Sequence, residues 1–205
     1  MIKLFAHPSQ NVLKVQIALE EMGLAYTFVN DRALGEGSAD FDQFRLASPT
    51  GQVPALYDSE TGAALFESSA IMLYLAERTG RFLPPLDQAA ERAETIKWLM
   101  FEAASLTPAM LDIYHYTLQA DEDVPYAEER ARTRARRALA ALESALTIPE
   151  HDHLAGDYSI ADMIVYPWLP ILEDFADIPP SAYPKLEAWA ARVGAREAVK
   201  KAEGR

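Results

Sequence analysis

Ser48-Pro49-Thr50-Gly51-Gln52-Val53-Pro54-Ala55-Leu56-Tyr57, then Asp58–Gly62, then Ala63-Ala64-Leu65-Phe66-Glu67-Ser68-Ser69-Ala70-Ile71, is the stretch that decides how this chain folds. Ser48–Gly51 is turn chemistry, with a proline and a glycine among small polar residues. Pro54–Tyr57 and Ala64–Phe66 are short apolar runs joined by a polar, glycine-bearing connection, which reads as a pair of antiparallel strands. Ser68–Arg78 reads as a helix ended by Gly80.

Working outward to the N-terminus, Ile2–Phe5 is a short apolar run halted at His7-Pro8 and reads as a buried strand. Val12, Val15, Leu19 and Met22 recur at helical spacing before Gly23, so Asn11–Met22 is predicted to be a helix. Tyr26–Val29 is a second strand, Asp31–Ser38 a loop, and Asp40–Leu46 a short helix. The order β-α-β-α-β-β-α suits a parallel crossover followed by an antiparallel hairpin. One small mixed sheet with helices on its faces is the expected first domain, residues 1–80.

Working outward to the C-terminus, the pattern breaks at residues 81–87, where Pro84-Pro85 marks a linker. Residues 88–205 read as all helical. Gln88–Gln119 is one helix or two, with a kink near Pro108. Pro125–Leu146 is a second long helix. Ser159–Ala176 is an apolar helix interrupted by Pro167 and Pro170, and Tyr183–Val193 and Arg196–Ala202 close the chain.

Three places carry candidate chemistry. Ser9 and Asn11 follow the first strand at a helix start, where unpaired N–H donors and a partial positive charge favour an anion such as a thiolate; either residue can equally be a plain cap. His7, beside them, is a candidate pocket wall. Gln52-Val53-Pro54 precedes the third strand; with a cis bond, the Val53 backbone is able to pair with an extended peptide, and without one it is simply a strand start. Glu67 and Ser68 stand where a strand meets a helix. There the hydroxyl and N–H of Ser68 suit a carboxylate and Glu67 suits an ammonium, the two ends of an amino-acid zwitterion. Capping is the competing role here too. A fourth motif, Ser159-Ile160-Ala161-Asp162, is a capping box with Asp in place of Glu. It is expected to serve folding, at ~0.5–2 kcal/mol.

Composition bounds the function. Lys plus Arg number 19 and Asp plus Glu 31, a formal charge of −12. Such a chain repels nucleic acid and anionic membrane surfaces, so neither is expected as a partner. A small anionic ligand held by backbone N–H groups is still compatible with that charge. Cysteine is absent, which removes disulfides, thiolate metal sites and a cysteine nucleophile. Any thiol chemistry must borrow its thiol from a co-substrate. No apolar run approaches the ~20 residues of a membrane span, and a cytoplasmic protein is expected. His151 and His153 flank an acid and read as surface residues, so no metal is expected. Arg130, Arg132, Arg134, Arg136 and Arg137 cannot share one helix face, and most of them read as solvated.

The order and spacing of these motifs resemble the glutathione transferase superfamily over essentially the whole chain. The motifs are Ser-x-Asn-x-x-Lys-Val, Ser-Pro-x-Gly-x-Val-Pro-Ala-Leu, Phe-Glu-Ser-x-Ala-Ile-x-x-Tyr-Leu and Ser-Ile-Ala-Asp. The chain looks closest to the bacterial nu class, on the evidence of Ser9, Asn11 and Lys14 and of Pro125-Tyr126-Ala127-Glu128-Glu129-Arg130. It departs in having Ser9 where that class has Thr, and Gln52 where many members have Lys.

The resemblance implies a thioredoxin-like domain followed by a helical one, with glutathione as co-substrate and a homodimer as the working form. It further implies Ser9 and Asn11 facing the glutathione sulfur, and Val53, beside a cis Pro54, pairing with the cysteinyl unit. Gln52 would lie toward the glycyl carboxylate, Glu67 and Ser68 would hold the γ-glutamyl end, and Arg130 would reach in from the partner subunit. The thiolate would attack a small electrophile or a disulfide, with Tyr114 and Trp168 near the second substrate. Glutathione transfer is the expected activity; glutathione-dependent disulfide reduction and non-catalytic glutathione binding are the alternatives.

Overall fold

The structure is a computed structural model that describes residues 1–148 and 151–204. It divides into two compact units: residues 1–83 together with 196–205, and residues 84–195.

The first unit is built on a four-stranded sheet: β1 (Ile2–Ala6), β2 (Tyr26–Asn30), β3 (Ala55–Asp58) and β4 (Ala63–Phe66), in the order β2-β1-β3-β4. β1 and β2 are parallel and joined through α1 (Gln10–Met22), while β3 lies antiparallel to both β1 and β4. This is the mixed sheet that the sequence order predicted. Its two faces are set by the two-residue alternation of strands. Phe5 and Ala55, partners in the register, join Phe44 and Ala47 of α2 (Ala39–Ala47) in one apolar layer, with Phe5 and Phe44 ring centroids 5.6 Å apart. Leu4 and Leu56, also partners, are fully buried on the opposite side of the pleat. α1 and α3 (Ser68–Thr79) contact each other and bury Val12, Val15, Leu19, Ile71, Met72 and Leu75.

Asp58 ends β3 fully buried, accepting hydrogen bonds from Tyr74 Oη at 2.7 Å and the Glu60 N–H at 3.0 Å and pairing with Arg78. Burial on its own raises this carboxyl; the Tyr74 and Glu60 hydrogen bonds and the Arg78 charge outweigh burial and hold it below its ordinary value.

The last helix, α10 (Glu197–Ala202), also belongs to the first unit. The sequence reading grouped it with the helical half because it follows that half directly. In the structure Arg196 grips Glu21 of α1 with two hydrogen bonds of 2.5 and 2.9 Å, Lys201 pairs with Glu20 at 2.6 Å, and Val199 is fully buried. Burial of one valine and a bidentate Arg–carboxylate pair attach the helix there.

The second unit contains α4 (Ala89–Phe101), α5 (Thr107–Tyr114), α6 (Pro125–Ala145), α7 (Ile160–Val165), α8 (Leu172–Ala176) and α9 (Pro184–Gly194). The anticipated kink near Pro108 takes the form of a π-helical turn, Glu102–Leu106, ahead of α5. Pro108 has no N–H to offer the carbonyl four residues back, and a wider turn is a known relief for that gap. A second π-turn, His115–Gln119, follows α5. Pro167 and Pro170 fall in a 3₁₀ stretch, Tyr166–Ile171, that separates α7 from α8. No helix among the described residues is long and apolar enough to cross a membrane.

Candidate functional site

The register of the sheet decides where the candidate residues meet. Phe5 pairs with Ala55, and Ala55 with Phe66. β1 and β4 therefore finish on the row where β3 begins. Ser9 and Asn11 follow β1, Gln52, Val53 and Pro54 precede β3, and Glu67 and Ser68 follow β4. All seven lie along one edge of one sheet, although they come from three separate stretches of chain. Neighbouring strands are ~4.8 Å apart, so the edge from β1 to β4 spans ~10 Å. An extended tripeptide, at ~3.3 Å per residue, has that length.

Each corner has its own local cause. Ser9 is the N-cap of α1 and accepts a hydrogen bond from the Val12 N–H at 3.3 Å. No acid occupies the first turn, so the positive end of the helix dipole is uncompensated there. Asn11 is partly buried, and its Oδ1 accepts a hydrogen bond from Lys14 Nζ at 2.7 Å. Capping and ligand contact are thus compatible at Ser9, and Asn11 is not the cap.

At the second corner the Val53–Pro54 bond is cis. The pairing of β3 begins at Ala55, so the Val53 backbone lies outside the ladder. Buried Ser48 donates from its hydroxyl to the Gln52 carbonyl at 2.7 Å, which secures the preceding turn; the Gln52 side chain is exposed.

At the third corner Glu67 has φ 69° and ψ 116°, stands at the N-cap position of α3, and makes no side-chain cap hydrogen bond. That conformation costs a non-glycine residue ~1–3 kcal/mol, and such outliers concentrate at functional sites. Simple capping does not account for it. Glu67 is exposed and Ser68 half-buried.

His7 sits at the same edge. Its Nδ1 contacts Asp31 Oδ1 at 3.0 Å, at the point where β2 ends beside β1.

The remaining candidates belong to the second unit. Arg130 is on α6, exposed, and in no ion pair among the described residues. Among its neighbours Arg132, bound to Glu128 and the Ala176 carbonyl, is drawn in from the surface, while Arg134, paired with Asp112 at 2.6 Å, and Arg136, paired with Glu129 at 2.8 Å, stay on the solvated surface expected of most of this group. Tyr114 is 40% exposed and stacks on Phe175, with centroids 6.0 Å apart. Trp168 is not a pocket wall. It is 4% exposed, and its indole N–H donates to Glu102 Oε1 at 2.8 Å and Thr107 Oγ1 at 3.1 Å. Glu102, itself buried, is a carboxylate that helical spacing gave no reason to place in the interior; satisfying the indole N–H on a π-turn is what holds it there. His151 and His153 are likewise only partly exposed, with buried Nδ1 atoms. No cluster able to hold a metal occurs among the described residues.

With this geometry in place, comparison with known proteins is decisive. Residues 5–84 match the glutathione S-transferase N-terminal domain model and residues 106–197 the C-terminal domain model. The disulfide-bond oxidoreductase YfcG of Escherichia coli (strain K12) is 34% identical over 97% of this chain and 93% of its own length.

The chain belongs to the glutathione S-transferase family.

Within that family, the disulfide-bond oxidoreductase YghU of the same bacterium is 35% identical over 98% of this chain and 73% of its own length. Among solved structures, a glutathione transferase from Pseudomonas putida, determined with one glutathione disulfide bound per subunit, aligns with a TM-score of 0.83 at 28% identity, covering 98% of this chain and 90% of that one. The transferase fold is therefore shared across both domains.

Sequence reasoning quoted Lys14 as part of a motif but gave it no role. In the structure it is fully buried. A lysine in the opening turns of a helix, against the dipole, was the available signal.

Proposed function

We propose that this protein is a glutathione transferase: it binds glutathione extended along the β1–β3–β4 edge and activates its thiol for attack on a second molecule. The observation that carries the reading is the common row Phe5–Ala55–Phe66, which collects a thiolate-friendly helix start, an unladdered valine backbone and a strained acid on one ~10 Å edge. In this reading the Ser9 hydroxyl, the Asn11 amide and the α1 terminus stabilise the sulfur. Val53 pairs with the cysteinyl backbone, Gln52 lies toward the glycyl carboxylate, and Glu67 and Ser68 hold the γ-glutamyl zwitterion.

A cysteine-type thiol ionises at about 8.5, and lowering that by roughly two units takes ~2.7 kcal/mol. Two or three hydrogen bonds to the charged form supply that much. The thiolate then attacks an electrophilic carbon, forming a C–S bond as the leaving group departs with its electron pair. The working form is a cytoplasmic homodimer in which Arg130 of one subunit reaches the glutathione of the other.

A second reading is favoured by the two oxidoreductase relatives, at 34% and 35% identity. Here the same thiolate attacks one sulfur of a disulfide, the S–S bond breaks, and the released thiolate takes up a proton. No cysteine of the protein is needed, and it has none. Rates with an aryl halide and with a small dialkyl disulfide separate the two readings. Absence of glutathione binding by calorimetry refutes both, and binding with neither rate leaves a non-catalytic member.

A further inference from the structure

Lys14 has no role in the account above, yet it is 0% exposed. Two penalties act on a cation there. Burial removes its hydration, and the N-terminal turns of α1 put the positive end of the helix dipole beside it. A methionine or leucine of similar volume would fill the space without either cost. An anion bound at the turn reverses the sign of the electrostatic term, because lysine and dipole then act on the same charge.

Its contact with Asn11 specifies how. Lysine has three donors and no acceptor. The atom of Asn11 that lies 2.7 Å from Lys14 Nζ is therefore the carbonyl oxygen, as the structure has it. Three residues apart on one helix, the two side chains share a face. An amide is planar, with its oxygen and nitrogen on opposite arms. Holding the oxygen toward buried Lys14 turns the NH2 arm of partly buried Asn11 away from the interior.

We propose that Lys14 is a positioning residue for thiol activation: it locks the Asn11 amide so that its N–H donors face the glutathione sulfur and its oxygen does not. An unlocked asparagine presents its oxygen to the sulfur part of the time, and an oxygen facing a thiolate is repulsive. Lys14 makes other interactions as well, and the proposal requires only the one to Asn11. It rests on the reading that Asn11 contacts the sulfur.

The test uses the full chain saturated with glutathione and reads thiolate absorbance against pH. Asn11→Ala is expected to raise the apparent pKa of the bound thiol by about one unit, the worth of one charge-directed hydrogen bond. Lys14→Met should raise it by a similar amount, the double variant little further, and Lys14→Arg should restore most of the shift. If Asn11→Ala titrates like wild type, the Asn11 reading itself is wrong. If Asn11→Ala shifts and Lys14→Met does not, the positioning role alone is overturned. Fully additive shifts also overturn it, since Lys14 then acts on the sulfur by its own charge. Asn11→Asp keeps Lys14 and serves should Lys14→Met not fold. With one carboxylate oxygen held by Lys14, the other faces the sulfur, and the thiol pKa must rise above that of Asn11→Ala. A value equal or lower refutes the locked orientation.

Discussion

Two of the helices that a serine caps, α1 and α7, have starts built for opposite ends. At α7, Ser159 accepts from the Ala161 N–H at 3.3 Å, and Asp162 returns the favour by accepting from the Ser159 N–H at 2.9 Å. Asp162 also accepts from the Leu154 N–H at 3.1 Å and the Trp189 indole at 2.7 Å, and both Ser159 and Asp162 are buried. Asp162 thus answers donors from three residues inside the protein, and this terminus is closed off from solvent. At α1, Ser9 caps Val12, but Val12 has no carboxylate to return and the first turn holds no acid. The residue three after the cap therefore separates a closed terminus from an open one. A carboxylate there completes the terminus internally; an apolar residue leaves its positive end available to an anion.

The contrast is broken most severely at its closed end. Asp162→Ala strips the acceptor from three donors, those of Leu154, Ser159 and Trp189. At ~1–3 kcal/mol for each buried unsatisfied group, the loss should be at least ~3 kcal/mol, more than the ~0.5–2 kcal/mol of a cap alone. Urea melts measure it, and the specific activity of the folded fraction should be unchanged. A loss within the range of a simple cap would mean that the wider network contributes little.

Glu67→Gln tests whether the strained acid belongs to the open site. Glutathione affinity is expected to fall by about 2 kcal/mol, roughly thirtyfold. Calorimetry reads the affinity and a thermal melt reads stability, which should hold because Glu67 makes no cap hydrogen bond.

Replacing each serine by alanine sharpens the comparison. Both Ser9→Ala and Ser159→Ala should lose about 1 kcal/mol of stability as N-cap changes. Only Ser9→Ala should raise the apparent pKa of bound glutathione, as followed by thiolate absorbance. Equal titrations in the two variants would show that the open terminus is no different in kind from the closed one.

The subtlest change is Gln10→Glu, which puts an acid into the first turn of α1. It should stabilise the free protein by ~0.3–1 kcal/mol through the dipole while weakening thiolate formation in the complex. Opposite signs in a thermal melt and a thiol titration are the diagnostic result.

How far this was legible from residues alone depends on the range of the force involved. The helices of the first domain, the strand pair before Ser68 and the capping box at Ser159 rest on periodicity, turn chemistry and contacts within four residues, and they were readable for that reason. The three stretches of the candidate edge were each recognisable in isolation. Their convergence was not, because it depends on a register linking residues 5, 55 and 66. The interior charges are not settled locally either: packing alone buries Lys14, Asp58 and Glu102 with their partners. Trp168 was mistaken for a pocket wall for the same reason, since nothing local shows that its indole donates to a residue 66 positions away.

By itself, then, the sequence determined which segments are helix or strand, that any reactive thiol must come from outside the chain, and which residue types suit its binding. Only the tertiary structure decided that α10 returns to the first unit on the Arg196–Glu21 pair, that Trp168 is sealed against Glu102, and that Asn11 is held by a buried lysine. Capping and periodicity act along a few residues of chain. Burial and ion pairing depend on which distant atoms exclude water together, and that is settled only when the sheet and helices have packed.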